Sequence, residues 1–168
     1  MSVVAVKVQK DKIVIGSDSI RTEGWTQEKD KEAKLWSIDG STILGAVGRC
    51  DEAFLFKQFL ETHRPKEATE ERILDLWAEF TQWLKAVMQD GNYKIVNSAF
   101  ILIFQSKAFF IEGFFIREIK DYYAIGAGMD YARAALYLGA SVEKAIKTAC
   151  ELSIVCEQPI NIMEVKRK

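Results

Sequence analysis

The chain has one histidine, two prolines and three cysteines among 168 residues. A lone histidine, His63, excludes a multi-histidine metal site and makes a histidine-based triad an unpromising reading. Any enzyme built from this chain draws its base from elsewhere. Three cysteines, an odd number at no metal-ligand spacing, read as reduced thiols and predict a cytoplasmic setting rather than a disulfide framework. No metal and no cofactor is expected. Charge of one sign is also missing: 23 Lys+Arg stand against 24 Asp+Glu, a net charge of -1. That balance carries no electrostatic footprint for nucleic acid. No apolar run approaches the ~18 residues of a membrane helix, the longest, Ser98 to Phe104, being strand-sized. The opening Met-Ser-Val-Val-Ala-Val-Lys lacks the basic and long apolar regions of a secretory signal. Neither nucleic acid nor membrane is an expected partner.

What is present is a chain with 49% hydrophobic and 28% charged residues, the balance of a single domain spanning residues 1–168 with a real core. Val4, Val6 and Val8 alternate at period two, predicting a strand over Ser2 to Val8. A turn at Gln9-Lys10-Asp11 leads to a second strand, Lys12 to Ile15. Another hairpin is predicted from Lys34 to Ile38 and from Thr42 to Val47, turning at Asp39-Gly40-Ser41. The period then changes. Asp51 to Thr62 reads as a helix with Phe54, Leu55, Gln58 and Phe59 at helical spacing. Thr69 is positioned to N-cap a longer helix that carries Glu70 and Glu71 in its first turn. Its stripe is Ile73, Leu76, Trp77, Phe80, Trp83, Leu84, Val87 and Met88, read as packing core or subunit interface, with Gly91 as its stop.

Strands return at Ala99 to Phe104, Ala108 to Glu112, Phe114 to Ile119 (after a turn at Gly113) and Tyr122 to Ile125. Phe109, Phe110, Phe114 and Phe115 alternate poorly for a one-sided strand and suit either the inner sheet of a sandwich or a contact with a neighbouring subunit. Helices over Asp130 to Leu138 and Ser141 to Val155 follow, with Gly139 as stop, Ser141 as cap and both Cys150 and Cys156 on the second. A final strand runs from Ile160 to Val165. The charge run Glu28 to Glu32 reads as a solvated loop, and His63 as an exposed helix end. Strands, two helices, strands, two helices, strand is not the alternation of a parallel sheet. It predicts an α+β chain folded as a four-layer α/β/β/α sandwich of two antiparallel sheets.

Ser2, Asp18 and Lys34 carry the candidate chemistry. Aminopeptidases remove Met1 when a small residue follows, leaving Ser2 with a free α-amine beside its own hydroxyl. Such an amine titrates near pH ~7.7–8.0, close to the working range of a general base, and it can take the hydroxyl proton without a histidine. Asp18 ends the second strand and Lys34 begins another, so both side chains can converge on the start of the first strand. A protonated Lys34 there lowers the proton affinity of hydroxyl and amine, and Asp18 keeps that lysine charged and oriented.

The pattern S-V-V-A-V-K-V-Q-K-D-K-I-V-I-G-S-D at 2–18 resembles the opening of proteasome β subunits and of the bacterial HslV peptidase, members of the N-terminal-nucleophile (Ntn) hydrolases. Ser2, Asp18 and Lys34 (in K-E-A-K-L-W-S-I) fall in ungapped register with that family's catalytic residues. G-A-V-G-R-C-D-E-A-F at 45–54 is similar to its Gly-rich segment, which places Gly48 as the oxyanion-stabilising N–H. A-I-G-A-G-M-D-Y-A-R-A-A at 124–135 resembles its A-I-G-S-G-G signature, with Gly126, Ala127 and Gly128 as the supporting loop. Ala127 stands where the family has a serine hydroxyl, and the final segment follows the family only loosely.

The resemblance implies the Ntn-hydrolase sandwich and a proteasome-like or HslV-like hydrolase, a protease of the threonine-peptidase type using an N-terminal serine. It implies a ring-shaped homo-oligomer, single or double, fed by an AAA+ ATPase unfoldase and acting on peptide or unfolded protein. It places Arg21 and Thr22 on a strand that pairs with substrate, and Ala46 and Cys50 in the pocket for the side chain before the scissile bond. Two other readings stand beside it. A catalytically silent ring subunit of the same fold agrees with Ala127 and with a retained Met1. Hydrolysis of a small-molecule amide agrees with the fold class alone.

Overall fold

The first hairpin shows how the alternation becomes architecture. In a computed structural model that describes residues 2–23, 26–29, 34–88 and 96–167, β1 (Val4–Val8) pairs antiparallel with β2 (Lys12–Ser17) in the register Val6↔Ile15 and Val8↔Ile13. Residues directly opposite share a face, so Val4, Val6, Ile13 and Ile15 all point into one apolar layer, while Val3 and Ala5 point the other way into a second. A strand buried on both sides belongs in the middle of a layered fold.

The rest of the chain supplies those layers. β3 (Ile20–Glu23) and β4 (Thr26–Lys29) form a separate two-stranded ribbon. β5 (Leu35–Asp39), β6 (Thr42–Val47), β7 (Ala99–Phe104), β8 (Lys107–Glu112) and β9 (Phe115–Ile119) make a five-stranded antiparallel meander in sequential order. β10 (Tyr122–Ile125) and β11 (Asn161–Lys166) flank the first hairpin in the order β10-β1-β2-β11. The two sheets face each other through Val4, Val6, Ile13, Ile15, Leu35, Ile43, Ile101, Ile103 and Phe110. α1 (Cys50–Thr62) and α2 (Glu70–Val87) cover the outer face of the five-stranded sheet. α3 (Met129–Tyr137) and α4 (Val142–Leu152) cover that of the four-stranded sheet. The α/β/β/α order expected from the sequence is the order found.

Local chemistry explains most boundaries. The Thr69 hydroxyl accepts the Arg72 N–H at 3.3 Å, and the Ser141 hydroxyl accepts that of Lys144 at 3.2 Å, each satisfying an orphan donor of a helix start. Beneath α1 and α2, Phe56 meets Trp77 edge-on (centroids 5.2 Å apart, planes at 87°) and Phe100 at 5.0 Å and 70°, favoured aromatic geometries. Losing one such ring costs about 3–5 kcal/mol.

Several expectations need correction. α1 buries Glu52, Ala53, Phe56, Phe59 and Leu60, whereas Phe54 is exposed and Leu55 only partly buried. The helix is apolar on more than one face, and the Phe56 contacts with Trp77, Phe80 and Phe100 decide its phase. In α2, Trp83 and Met88 are half-buried and Val87 is exposed. The helix stops at Val87 with Met88 as cap, and Gly91 lies outside the described residues. Part of the charge run is strand rather than loop, because Arg21↔Glu28 and Thr22↔Gln27 are rungs of the β3–β4 ribbon; the positions from Asp30 to Glu32 lie outside the described residues.

α4 ends at Leu152, so Cys156 lies beyond the helix that holds Cys150, although it is buried against the same layer. Phe109 and Phe110 are buried on opposite faces of β8, but Phe114 and Phe115 are exposed at and after the turn. His63 is half-buried as the C-cap of α1, its ring stacked 4.0 Å from that of Phe59.

Candidate active site

Where β2 gives way to the ribbon, Asp18 is fully buried and bonded through both carboxylate oxygens. Its Oδ1 accepts the Val3 N–H at 2.9 Å and the Lys34 ammonium at 2.5 Å, and its Oδ2 accepts the Glu157 N–H at 3.3 Å. The Asp18 N–H in turn donates to the Val3 carbonyl at 3.2 Å. The carboxylate therefore clamps the backbone of the residue that follows Ser2 and holds the lysine with the same oxygen. Lys34, 6% exposed, sits just before β5, and its carbonyl accepts the Ala46 N–H at 2.9 Å. Burial presses the Lys34 ammonium toward its neutral form and moves its pKa below the ordinary 10.5, and Asp18 offsets part of that shift.

Ser2 is itself buried, immediately ahead of β1. Its carbonyl accepts the Gly128 N–H at 3.2 Å. Gly126 stands against the same carbonyl in a left-handed conformation (φ +92°), where a Cβ would collide with the Ser2 carbonyl oxygen. A Cβ on Gly128 would meet the Cys156 sulfur and come within 3.1 Å of Val3. Both glycines are thus demanded by how closely the 126–128 loop hugs the chain start. Between them Ala127 is exposed, with a methyl group that offers no hydrogen bond.

Ser2 and Lys34 open onto one pocket of about 60 Å³, lined also by Ile20, Arg21, Val47, Gly48, Arg49 and Ala53, with Ala46 and Cys50 completing the wall. Gly48 lies at φ +118°, and a Cβ there would come within 2.6 Å of the Ser98 hydroxyl. The rim cations are neutralised by neighbours: Arg21 pairs with Glu28 at 2.8 Å, and Arg49 with Asp51 at 2.5 Å. Cys50 is exposed at the start of α1.

Of the residues singled out in the sequence, Ser2, Lys34, Gly48, Arg21, Ala46 and Cys50 share this pocket. Asp18 stands behind it through Lys34, and the 126–128 loop holds Ser2 from the other side. Thr22 pairs along the ribbon with Gln27, and its side chain lies outside the described part. Sequence reasoning missed the Glu157 N–H on Asp18, which comes from 139 residues away, and the pocket walls Ile20, Arg49 and Ala53. Nothing in the local pattern signals those contacts. Among the described residues, no group of three or more His, Cys, Asp or Glu side chains converges as a metal site, and no helix is long and apolar enough to cross a membrane.

No family model matches the chain. Solved structures do. The fold superimposes on BPH of Thiobacillus denitrificans in complex with epoxomicin with a TM-score of 0.83 at 16% identity, covering 99% of both chains. BPH of the same organism without that compound gives 0.82 at 16% identity, covering 99% of this chain and 98% of the other. Eukaryotic HslV from Trypanosoma brucei gives 0.69 at 17% identity, covering 98% and 99%. The protein shares the four-layer α/β/β/α sandwich of these structures over nearly its whole length. At these identities the likeness is one of fold.

Proposed function

We propose that the chain is a peptidase of the HslV and proteasome kind whose nucleophile is the hydroxyl of Ser2, exposed with its α-amine by removal of Met1. One observation carries the reading. A buried carboxylate–lysine pair is hydrogen-bonded to the residue next to Ser2, and its lysine opens onto the pocket that Ser2 and Gly48 share. In this scheme the Ser2 amine takes the hydroxyl proton and Oγ attacks the substrate carbonyl. The Lys34 ammonium favours the deprotonated oxygen, and the Gly48 N–H donates to the oxyanion. The protonated amine then gives its proton to the leaving amine. Water, deprotonated by the same amine, hydrolyses the acyl ester and restores Ser2.

The modest pocket beyond Ser2, walled by Ala46 and Ala53, suits a medium apolar side chain. The exposed edges of the β3–β4 ribbon suit an extended peptide. A ring homo-oligomer, an AAA+ unfoldase partner and a cytoplasmic setting belong to this reading. So does a single catalytic domain over residues 1–168.

Intact-mass analysis of the purified protein before and after incubation with epoxomicin tests it. The compound is an epoxyketone, and a stable ring adduct needs a hydroxyl and an amine on one residue. A mature chain beginning at Ser2 that gains one epoxomicin there is the expected result. A retained Met1, or a mature chain that takes no label, rules the mechanism out. The exposed methyl of Ala127, in a loop that otherwise supports Ser2, favours one rival, a silent ring subunit; that rival predicts no adduct.

A further inference from the structure

A second buried carboxylate lies close to the pocket without lining it. Glu52, on the first turn of α1, is 1% exposed, and its Oε2 accepts both the Ser98 hydroxyl at 2.6 Å and the Asn97 N–H at 3.0 Å. The Ser98 oxygen accepts the Arg49 N–H at 2.9 Å. Arg49 Nε stands 3.6 Å from the other carboxylate oxygen, Oε1. A short relay thus runs from the peptide between Gly48 and Arg49, through Ser98, to Glu52, tying the pocket loop to the residues that enter β7.

Arg49 is the N-cap residue of α1, makes no side-chain cap, and Glu52 stands three residues after it. The Arg49 N–H is one of the orphan donors of the helix start, which a glutamate at that position can meet directly; here Ser98 is interposed between them and accepts it. Ser98 is also the wall behind Gly48, where a Cβ would come 2.8 Å from the Ser98 Cα. The same serine therefore excludes a side chain at residue 48 and fixes the peptide that follows it. A buried carboxylate is costly unless its oxygens are met, and here the Ser98 hydroxyl, the Asn97 N–H and the Arg49 guanidinium meet them.

We infer that Ser98 and Glu52 are positioning residues: by fixing the Gly48–Arg49 peptide and walling the Gly48 Cα, they restrict rotation about Gly48 and so hold the preceding peptide, which carries the Gly48 N–H, toward the oxyanion. This deepens the proposed peptidase reading and rests on it. An oxyanion donor is useful only when pre-aimed, and loss of a whole donor costs about 10²–10³-fold in rate. Loosening it through Ser98 should cost less, about 10–100-fold.

The test measures epoxomicin labelling of Ser2 by intact mass across inhibitor concentrations, on protein confirmed to begin at Ser2 and checked for a cooperative melt. Ser98→Ala should lower the limiting rate of labelling by about 10–100-fold, with the half-saturating concentration changed less than about threefold. Hydrogen exchange at the Arg49 amide should accelerate in the same variant. Glu52→Ala should behave alike. Glu52→Gln, whose amide oxygen can accept both bonds now made to Oε2, should rescue most of the rate lost in Glu52→Ala. A destabilised fold without this role would not produce that split between rate and affinity.

Should Ser98→Ala fail to fold, Ser98→Cys, near in size and a poor acceptor, makes the same comparison. A folded Ser98→Ala or Ser98→Cys that labels at the parental rate overturns the inference and leaves the peptidase reading standing. A parent protein that begins at Ser2 and takes no label overturns both.

Discussion

Replacing Lys34 by Met removes the charge from the Asp18–Lys34 pair while keeping most of its volume. Asp18 is fully buried and Lys34 nearly so, so the carboxylate has no water to fall back on and the ammonium only what the pocket admits. Breaking such a pair from one side costs about 3–5 kcal/mol because the abandoned charge remains buried. In Lys34→Met the carboxylate keeps its two backbone donors, Val3 and Glu157, which places the loss near the low end, ~3 kcal/mol. Asp18→Ala strands the ammonium and also leaves both N–H groups unmet, which places it at ~5 kcal/mol or more. At about 2–4 °C per kcal/mol for a domain of this size, the melting temperature should fall by about 6–12 °C in the first variant and by about 10–20 °C in the second.

The pair should also behave as a unit. Asp18→Asn combined with Lys34→Met should lose less than the sum of its parts, with a coupling of about 1–3 kcal/mol. Calorimetry and denaturant titration of the parent, Asp18→Asn, Lys34→Met and the double variant measure this directly, and epoxomicin labelling of each folded variant reads the chemistry. A Lys34→Met protein that melts within ~1 °C of its parent, or an additive cycle, would refute the claim that the pair is desolvated and mutually dependent. A folded Lys34→Met protein that labels Ser2 at the parental rate would remove the lysine from the mechanism.

The rate of Ser2 labelling should be bell-shaped in pH, rising as the α-amine loses its proton, which the neighbouring Lys34 ammonium shifts below the ordinary ~7.7–8.0, and falling where Lys34 loses its own, below the ordinary 10.5. The linked stability effect has a definite sign. Between the lowered Lys34 pKa and 10.5 the unfolded chain holds the extra proton, so the lysine's contribution to stability rises with pH across that window; the difference between parent and Lys34→Met in pH-dependent unfolding should show it. Iodoacetamide should modify the exposed Cys50 first and block epoxomicin labelling, because that thiol lines the pocket. Cys150, pushed up to about 12 by burial, and the buried Cys156 should survive in the native state. Peptide mapping that finds Cys50 alkylated with labelling intact contradicts the assignment of that wall. Gly126→Ala should cost about 1–3 kcal/mol for its left-handed backbone and should slow labelling more than heat stability alone explains, because the new Cβ strikes the Ser2 carbonyl; parental labelling by a folded variant shows that the loop does not position Ser2.

The layers were legible where burial imposes one period on a run of residues. Val4, Val6 and Val8 opposite Ile13 and Ile15 announce a hairpin with one apolar face, though not the second layer that buries Val3 and Ala5, and the Ile73-to-Leu84 stripe behind the Thr69 cap announces α2. α1 was legible as a helix but not in phase, because Phe54, Leu55, Phe56 and Phe59 offer it more than one apolar face. The β3–β4 ribbon was hidden, since its rungs join polar residues such as Arg21 and Glu28 that carry no burial signal. In the site, Ser2, Asp18 and Lys34 were readable as types able to do the chemistry, but it is their register with a known family that set them apart from other serines, aspartates and lysines. The Glu157 N–H and the Ser98–Glu52 relay depend on tertiary proximity alone.

The choice between a working peptidase and a silent subunit turns on the cost of buried charge. A ring subunit needs its surfaces and its core, and a core position filled by an ion pair is commonly neutral or more stable when apolar residues replace it. This chain instead keeps Asp18 and Lys34 as a buried pair. The arrangement does more than neutralise the lysine. It leaves Lys34 on the pocket wall beside Ser2, and it ties the same carboxylate to the backbone that carries Ser2. A structural pair has no reason to face the one small cleft that also contains Gly48 in a left-handed turn. Ala127 weighs on the other side, but its exposed methyl removes one potential hydrogen bond and leaves the Gly126 and Gly128 contacts to Ser2 in place. The placing of the buried pair therefore favours the proposed site, with the supporting loop relying on backbone contacts rather than on a serine hydroxyl.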